Sequence, residues 1–441
     1  MKVRELNSNG AWSWFMGERC LVSGGHILVG SVRSTPLGRE EGRGEPGWGN
    51  IELAVWDPET DACGVVVLHE GLEQDDHNAP GLLALADGRL VATYTKHSQE
   101  RRMYARTSPS GDPLVWEPVT IFDSPGVDHP PYGGDNVTYS NLFEVPGGRI
   151  LNFARCVGHQ WSWLFSDDAG KTWHYGGMFL RGRAGYAPYF KFAARGDSIH
   201  FIATEDHPRE YDNSVYHGFL RDGMIFQSDG CPLRALSHTT AASGDLTELT
   251  RVFAGDPDNV AWVTDLRVDA RGCPVCVFTV QKDGRGLPRG EGGLDHRFHH
   301  ARWNGSRWLV HEMAHAGTRL YPWEDDYTGL AAIDPFMTGH VLLSTDADPH
   351  TGAPLVSKAD GLRHHELFQG INRDGEMTWQ WTPLTRDSRA DNLRPIVPVW
   401  ADERVALVWM QGLYEHNTGP WNTKVVGAIL PRPQVERQMG L

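Results

Sequence analysis

No apolar run in the chain is long enough to cross a membrane, and no stretch sustains a long helical period. The first residues, MKVRELNSNGAWSWF, hold no apolar leader. A chain beginning at Met1 is therefore expected to be cytoplasmic, and a longer native start would make it secreted or periplasmic. Positive charge is scarce: 41 lysines and arginines face 56 aspartates and glutamates, a net charge of −15. That balance argues against nucleic acid or an anionic membrane surface as a partner. It also makes a densely sulfated polyanion a poor match unless the site carries its own positive patch, which Arg155, Arg181 and Arg183 would supply. Six scattered cysteines exclude a small disulfide framework. Cys273 and Cys276 have the spacing of a metal or redox pair, but they lie in the apolar run CPVCVFTV. Residues three apart on a strand point to opposite faces, so the pair reads as buried and inert.

What is plentiful points to an all-β protein. The chain has 50 glycines, 27 prolines and 17 tryptophans, which imply many tight turns and aromatic packing. Apolar residues make up 40 %, ample for a core at 441 residues. One pattern, apolar strand then Gly or Asp turn then apolar strand, occurs seven times: at 21–33, 82–97, 142–155, 189–204, 266–280, 330–345 and 396–410. The intervals of roughly 50 to 75 residues leave room for a four-stranded sheet each. Sheets of that kind bury their faces by radial stacking, so the expected fold is a seven-bladed β-propeller spanning residues 1–441 as one domain. A large two-sheet sandwich is the alternative. TKVVGAIL, near the C-terminus, is expected to join the N-terminal blade and close the ring.

Ser166-Asp-Asp-Ala-Gly-Lys-Thr-Trp173 fits the Asp-box of sialidase-type blades, S-x-D-x-G-x-T-W. Ser166 and Asp168 suit hydrogen bonding within a turn, Gly170 supplies backbone freedom, and Trp173 packs into the blade. Weaker versions stand at 108–116 and 373–379. The motif speaks for fold and hardly at all for function.

Function is written in two hairpins. His77 and His97 each stand ten residues from Asp87, which begins the Asp87-Gly88 turn. Residues equidistant from such a turn meet at the rim of the central channel. In the next repeat Tyr139 and Arg155 flank Gly147 at eight residues each. Two adjacent blades therefore direct two imidazoles, a phenol and a guanidinium to one patch, with Asp75-Asp76-His77-Asn78 ahead of a buried strand. Each residue alone also has an ordinary reading as a turn, packing or ion-pair residue; their joint symmetry favours a shared site. The set lacks the close pair of carboxylates used in ordinary glycoside hydrolysis. It lacks the early Arg-Ile-Pro motif of true sialidases as well, since Arg33 sits in VRSTP. A base, an acid and a carboxylate-binding cation are what β-elimination from a uronic acid requires.

GAWSWF (10–15), DDHNAP (75–80), TYSN (138–141), LNFAR (151–155), SDDAGKTW (166–173), PYFKF (188–192), HPREYDNSVYHG (207–218) and DNLRPIV (391–397) together resemble the BNR-4 group of seven-bladed propellers. That group includes ulvan lyases and a lyase acting on rhamnose linked α-1,4 to glucuronate in arabinogalactan-type glycans. The resemblance implies His77 and His97 as the catalytic histidines, Tyr139 as the phenolic acid or base, and Arg155 as the group that neutralises the uronate carboxylate. Tyr189 matches a further active-site tyrosine. Asn78, Arg33 and Lys191 complete the substrate-binding candidates. The implied partner is a uronate-containing glycan, either ulvan or a rhamnose-capped arabinogalactan. The acidic charge and absent leader favour a glucuronate oligosaccharide or rhamnose-capped side chain over sulfated ulvan.

The proposed chemistry requires no cofactor. Structural Ca²⁺ or Zn²⁺ stays open: Glu324-Asp-Asp326 and Asp346 with Asp348 offer carboxylates, His296, His299 and His300 form a cluster, and His207 and His217 would meet across a hairpin. Alternation sends His299 and His300 to opposite faces, against one zinc site. Two other functions remain, a rhamnosidase-like hydrolase on the same propeller and a glycan-binding propeller without catalysis.

Overall fold

The computed structural model describes residues 1–14, 16–17, 19–126, 134–182, 187–239, 241–372 and 378–433. Seven antiparallel sheets follow one another along the chain, each beginning with one of the seven hairpins found in the sequence. Blade 1 consists of Cys20–Ser23, His26–Val32, Ile51–Trp56 and Cys63–His69. Blade 2 runs from Gly81–Ala84 to Thr120–Asp123, blade 3 from Thr138–Glu144 to His174–Arg181, and blade 4 starts at Tyr189–Arg195. Blades 5, 6 and 7 start at Val260–Val268, Ala331–Asp334 and Asp391–Ile396. The architecture is a seven-bladed β-propeller. No helix among the described residues is long and apolar enough to cross a membrane.

Burial falls from the axis outwards, and that gradient explains the residue choice. In blade 2 the second strand, Leu90–Thr95, is buried throughout, because both its faces meet neighbouring blades. The outermost strand, Thr120–Asp123, has no fully buried residue. Apolar, β-branched and aromatic side chains therefore fill both faces of the inner strands, and each fully buried Leu or Phe contributes about 1.5–3 kcal/mol. Between blades 4 and 5 the chain also edges earlier sheets. Ala242–Asp245 pairs in parallel with His174–Arg181, and Thr250–Phe253 pairs with Val215–Arg221. Both cover backbone that would otherwise present an open edge.

Ring closure differs from the sequence expectation. The stretch TKVVGAIL lies in Asn422–Pro431, the third strand of blade 7, and the N-terminal strand Arg4–Asn7 pairs with it as the outermost strand of that last blade. Either assignment satisfies the alternation of a short terminal strand; the hydrogen-bonded ladder places the N-terminus on the C-terminal blade. The chain then crosses the channel. Gly10 donates to the Thr423 carbonyl, Ala11 pairs with Val32, and Trp12, Trp14 and Met16 are buried as a plug. Trp14 Nε1 donates to the Thr328 carbonyl at 3.0 Å, and Gly17 N donates to Asn141 Oδ1 at 2.9 Å. Tryptophan and methionine here floor the cleft above rather than filling a blade.

The Ser166–Trp173 turn joins the third and fourth strands of blade 3. Asp168 accepts from Ser166 Oγ at 2.9 Å, from Thr172 N at 2.9 Å and from Thr172 Oγ1 at 2.7 Å. Trp173 Nε1 donates to the Gly170 carbonyl at 3.0 Å, and Gly170 has φ +85°. Residues 373–377 of the weaker sequence match lie outside the described residues.

Candidate functional site

The blade 2 hairpin pairs Gly81 with Thr93 and Ala84 with Leu90, a register centred on Asp87. Extending that register by one turn of chain at each end brings His77 and His97 together. Their rings stack at 3.8 Å between centroids and 12° between planes. Asp75 fixes the stack. Its Oδ1 lies 2.7 Å from His77 Nδ1 and its Oδ2 lies 2.9 Å from His97 Nδ1. One carboxylate thus holds both rings by the same nitrogen, leaving each Nε2 without a hydrogen-bond partner among the described residues. A short 3₁₀ turn, Asp76–Asn78, makes this possible, because Asp75 also caps it by accepting from His77 N.

Asp76 adds a second carboxylate, with Oδ1 2.9 Å from His77 Nδ1. Burial opposes a charge on His77, but Asp75 and Asp76 outweigh it and raise the imidazole to about 9. His77 is therefore an imidazolium at neutral pH. Burial alone would raise Asp75 and Asp76; the imidazoles, and for Asp76 also Arg394, hold both carboxyls below the usual range. Behind Asp76 stand Arg394 Nη1 at 2.9 Å and the Tyr414 hydroxyl at 2.6 Å. Arg394 has φ +53° and lies over the Trp14 ring at 3.3 Å, tying the plug to the histidines. Arg39 Nη2 reaches Glu73 at 2.8 Å, and its Nη1 lies 3.5 Å from Asp75.

Blade 3 supplies the phenol and the cation with one irregularity. Arg155 pairs with Thr138, and the register shifts before Asn141 pairs with Phe153. Tyr139 occupies that bulge with φ +68°, a costly conformation for a bulky residue. The bulge sets its buried ring 5.7 Å from His77 and stacked on Trp161 at 5.7 Å. Burial raises the Tyr139 phenol, with Arg155 pulling against it, so Tyr139 is neutral. The Arg155 guanidinium is 5.2 Å from the Tyr139 ring centre and 5.0 Å from that of Tyr189. Its Nη1 meets His159 Nε2 at 3.2 Å, and the Tyr189 phenol also hydrogen-bonds the guanidinium. Burial, aided by Arg155, lowers His159 to about 3.

The row of rings continues into blades 4 to 6. Tyr189 meets His207 edge-on at 5.7 Å, and His207 lies 4.6 Å from Trp262 and 6.2 Å from Tyr327. His207 is buried and held well below its ordinary value, first by burial and then by Arg209 and other cations. Its Nδ1 is 3.8 Å from Asp326, whose carboxyl burial raises to about 7.

His77, His97, Tyr139, Arg155 and Tyr189 are thus brought together. Three other candidates stand apart. Asn78 is fully buried behind the histidines and donates to Glu73 Oε2 at 2.9 Å, so it braces the turn. Arg33 faces Glu52 at 3.7 Å on blade 1, and Arg39 takes the place beside Asp75. Lys191 lies beneath the plug, where its Nζ donates to the Met16 carbonyl at 2.6 Å beside a cavity of about 50 Å³. Arg181 pairs with Asp245 at 2.7 Å, and Arg183 lies outside the described residues. Arg39, Arg394 and Tyr414 escaped the sequence reading, and Asp76 entered it only as part of the cluster Asp75-Asp76-His77-Asn78. The only signal available was DNLRPIV, which holds Arg394.

The metal candidates separate. His217 packs on His200 at 3.2 Å, far from the Tyr189 and Trp262 partners of His207. His299 packs on Phe278 and His300 on Trp379, two different surroundings. Glu324 pairs with Arg209 and Arg289, and Asp325 pairs with Arg319. Asp346 and Asp348 bond threonine side chains and backbone N–H groups. Cys276 is buried, and the described cysteines are free thiols. Asp75, His77 and His97 offer ligand atoms within 4.8 Å of one another. Both Nδ1 atoms, however, are directed at carboxylate oxygens, the arrangement of a hydrogen-bonded triad.

The model of the BNR repeat-containing family matches residues 33–316. Among solved structures, an ulvan lyase of polysaccharide lyase family PL25, bound to -[GlcA(1-4)Rha3S]-, superposes with a TM-score of 0.61 at 14 % identity, covering 97 % of this chain and 95 % of that one. The polysaccharide lyase Uly1 superposes with a TM-score of 0.59 at 10 % identity, covering 98 % of each chain. No curated protein matches in sequence.

Proposed function

The chain belongs to the BNR repeat-containing family, and from that premise and the geometry of the cleft we propose that it is a lyase breaking a rhamnose-α-1,4-uronate bond by β-elimination. The observation that carries the reading is the His77–His97 stack on Asp75, beside a neutral Tyr139 and the Arg155 guanidinium. Support comes also from the ulvan lyase of the same fold, which binds a glucuronate–rhamnose chain.

Arg155 and the His77 imidazolium receive the uronate carboxylate. Together they stabilise the negative charge that spreads onto it as C5 loses its proton. His97 is the base. Asp75 engages its Nδ1, so Nε2 is the nitrogen placed to take the proton. As the C5–H bond breaks, its electrons form the C4–C5 double bond and the C4–O4 bond opens. Tyr139 donates its proton to the departing oxygen, which stays with rhamnose as a hydroxyl. The proton taken by His97 later returns to the phenolate through solvent. In glucuronate H5 and O4 lie on one side, which suits a base and an acid set on one face of the cleft.

A hydrolase reading draws on one observation, the Asp326 carboxyl raised to about 7 beside His207. Incubation with ulvan and with rhamnose-capped arabinogalactan separates the two. A lyase produces the conjugated, ultraviolet-absorbing unsaturated uronate. Cleavage without that chromophore would establish hydrolysis, and binding without cleavage a non-catalytic propeller.

A further inference from the structure

Trp323 is 67 % exposed, the most exposed tryptophan among the described residues. Its backbone has φ +74°, strained for so bulky a side chain. Exposed tryptophan combined with backbone strain has no role in packing, so its position asks for another explanation.

The segment that carries it is clamped on all sides. Glu324 pairs with Arg209 and with Arg289, the latter at 2.7 Å. Arg289 Nε donates to the Trp323 carbonyl at 2.6 Å. Asp325 accepts from Gly290 N at 2.7 Å and from Arg319 at 3.2 Å. The indole itself is backed by the Gly290 backbone, where a Cβ would meet its benzo ring at 3.0 Å. One side of the ring is thus supported and the other is open. Hydrogen bonds and ion pairs hold the loop, and the ring is displayed.

Its neighbours in sequence point into the cleft. Tyr321 stacks on Tyr327 at 5.6 Å, and Tyr327 reaches His207, the partner of Tyr189. A groove of about 320 Å³ is lined by Arg209, Arg285, Arg289, Asp325 and Asp326, among them the Arg209 and Arg289 that pair with Glu324 next to Trp323. The C–H faces of a pyranose ring stack on an open indole, and the flanking arginines and carboxylates can bond its hydroxyls.

We propose that Trp323 is the platform of a distal sugar subsite, holding a pyranose unit of the same glycan chain beyond the row Tyr189, His207 and Tyr327. This deepens the glycan reading of the cleft and rests on it. The subsite makes the protein prefer chains to disaccharides, because a pre-formed ring gains contact area at little ordering cost.

The test is calorimetric, in the His77→Ala background so that nothing is turned over, with circular dichroism checking that each variant is folded. A disaccharide and an octasaccharide from ulvan and from a rhamnose–glucuronate glycan are titrated. Trp323→Ala is expected to weaken octasaccharide binding about tenfold, with little change for the disaccharide, and Trp323→Phe to restore most of the loss. Octasaccharide affinity unaffected by Trp323→Ala, or no glycan binding at all, overturns the subsite. Unsaturated product from the wild-type protein is scored separately. Product with Trp323-independent binding would sink the subsite and leave the lyase reading; Trp323-dependent binding without product would do the reverse.

Discussion

His77 at the mouth of blade 2 and His300 on blade 5 are buried alike, 6 % and 7 % exposed, yet they carry opposite charge states at neutral pH. Burial works against the charge on both. His77 has Asp75 and Asp76 within 2.9 Å of Nδ1 and is raised to about 9. His300 has His311 and Trp379 as ring neighbours and is lowered to about 3. His200, packed on His217, is lowered to about 4. With 21 histidines in the chain, imidazole count marks nothing. A buried carboxylate bridging two of them marks the site.

The largest effect should come from breaking that contrast at the charged end. His77→Ala is expected to cut formation of unsaturated product by about 10²–10³-fold, the loss of one charge-stabilising donor, whereas His300→Leu changes it by no more than about twofold. A comparable loss from His300→Leu would dissolve the distinction. Removing the support behind the charge comes next. Arg394→Ala leaves Asp76 with less compensation in a buried site and should cost about 3–5 kcal/mol in urea unfolding. A loss confined to a few tenths would mean that Arg394 is ornamental.

The pH dependence of stability sharpens the comparison because the two regions have opposite sign. His77 has a folded value above the unfolded 6.5, so its contribution is fully present below pH 6.5 and is lost as pH rises through about 9. That contribution is on the order of 3 kcal/mol. For His200 and His300 the folded values of about 4 and about 3 lie below 6.5. Their contribution is present above pH 6.5 and falls away as pH drops towards those values, because the unfolded chain then takes up protons that the folded one refuses. Unfolding free energies across the range, for wild type and for His77→Ala and His300→Leu, should show each variant flattening only its own limb. Product formation should also decline through about pH 9 if the imidazolium of His77 takes part. The smallest effect lies furthest from the cleft. Asp168→Ala in the blade 3 turn should lower stability by about 1 kcal/mol and leave product formation unchanged.

Local rules carried much of the reading. The seven inner hairpins were legible because each joins two apolar strands through a Gly or Asp turn. His77 and His97 were legible because side chains equidistant from Asp87 meet, and the ladder has that register. Tyr139 and Arg155 show where the rule bends. Symmetry about Gly147 pairs them, but a bulge pairs Arg155 with Thr138 and swings Tyr139 out with φ +68°. What stayed hidden comes from far along the chain. Arg394 and Tyr414 meet Asp76 across 318 and 338 residues, and no periodicity encodes such a contact. Arg33 and Lys191 stood among the substrate-binding candidates of the sequence, whereas Glu52 and the Met16 carbonyl hold them elsewhere.

Elimination and hydrolysis differ in whether a water molecule enters the products, so the decisive measurement is the mass of the fragment that carries the uronate at its newly formed end. A mass one water below that of the saturated uronate fragment, with the double bond, is what the Asp75-bridged histidines with Tyr139 and Arg155 should produce. A uronate fragment of full saturated mass would contradict the account.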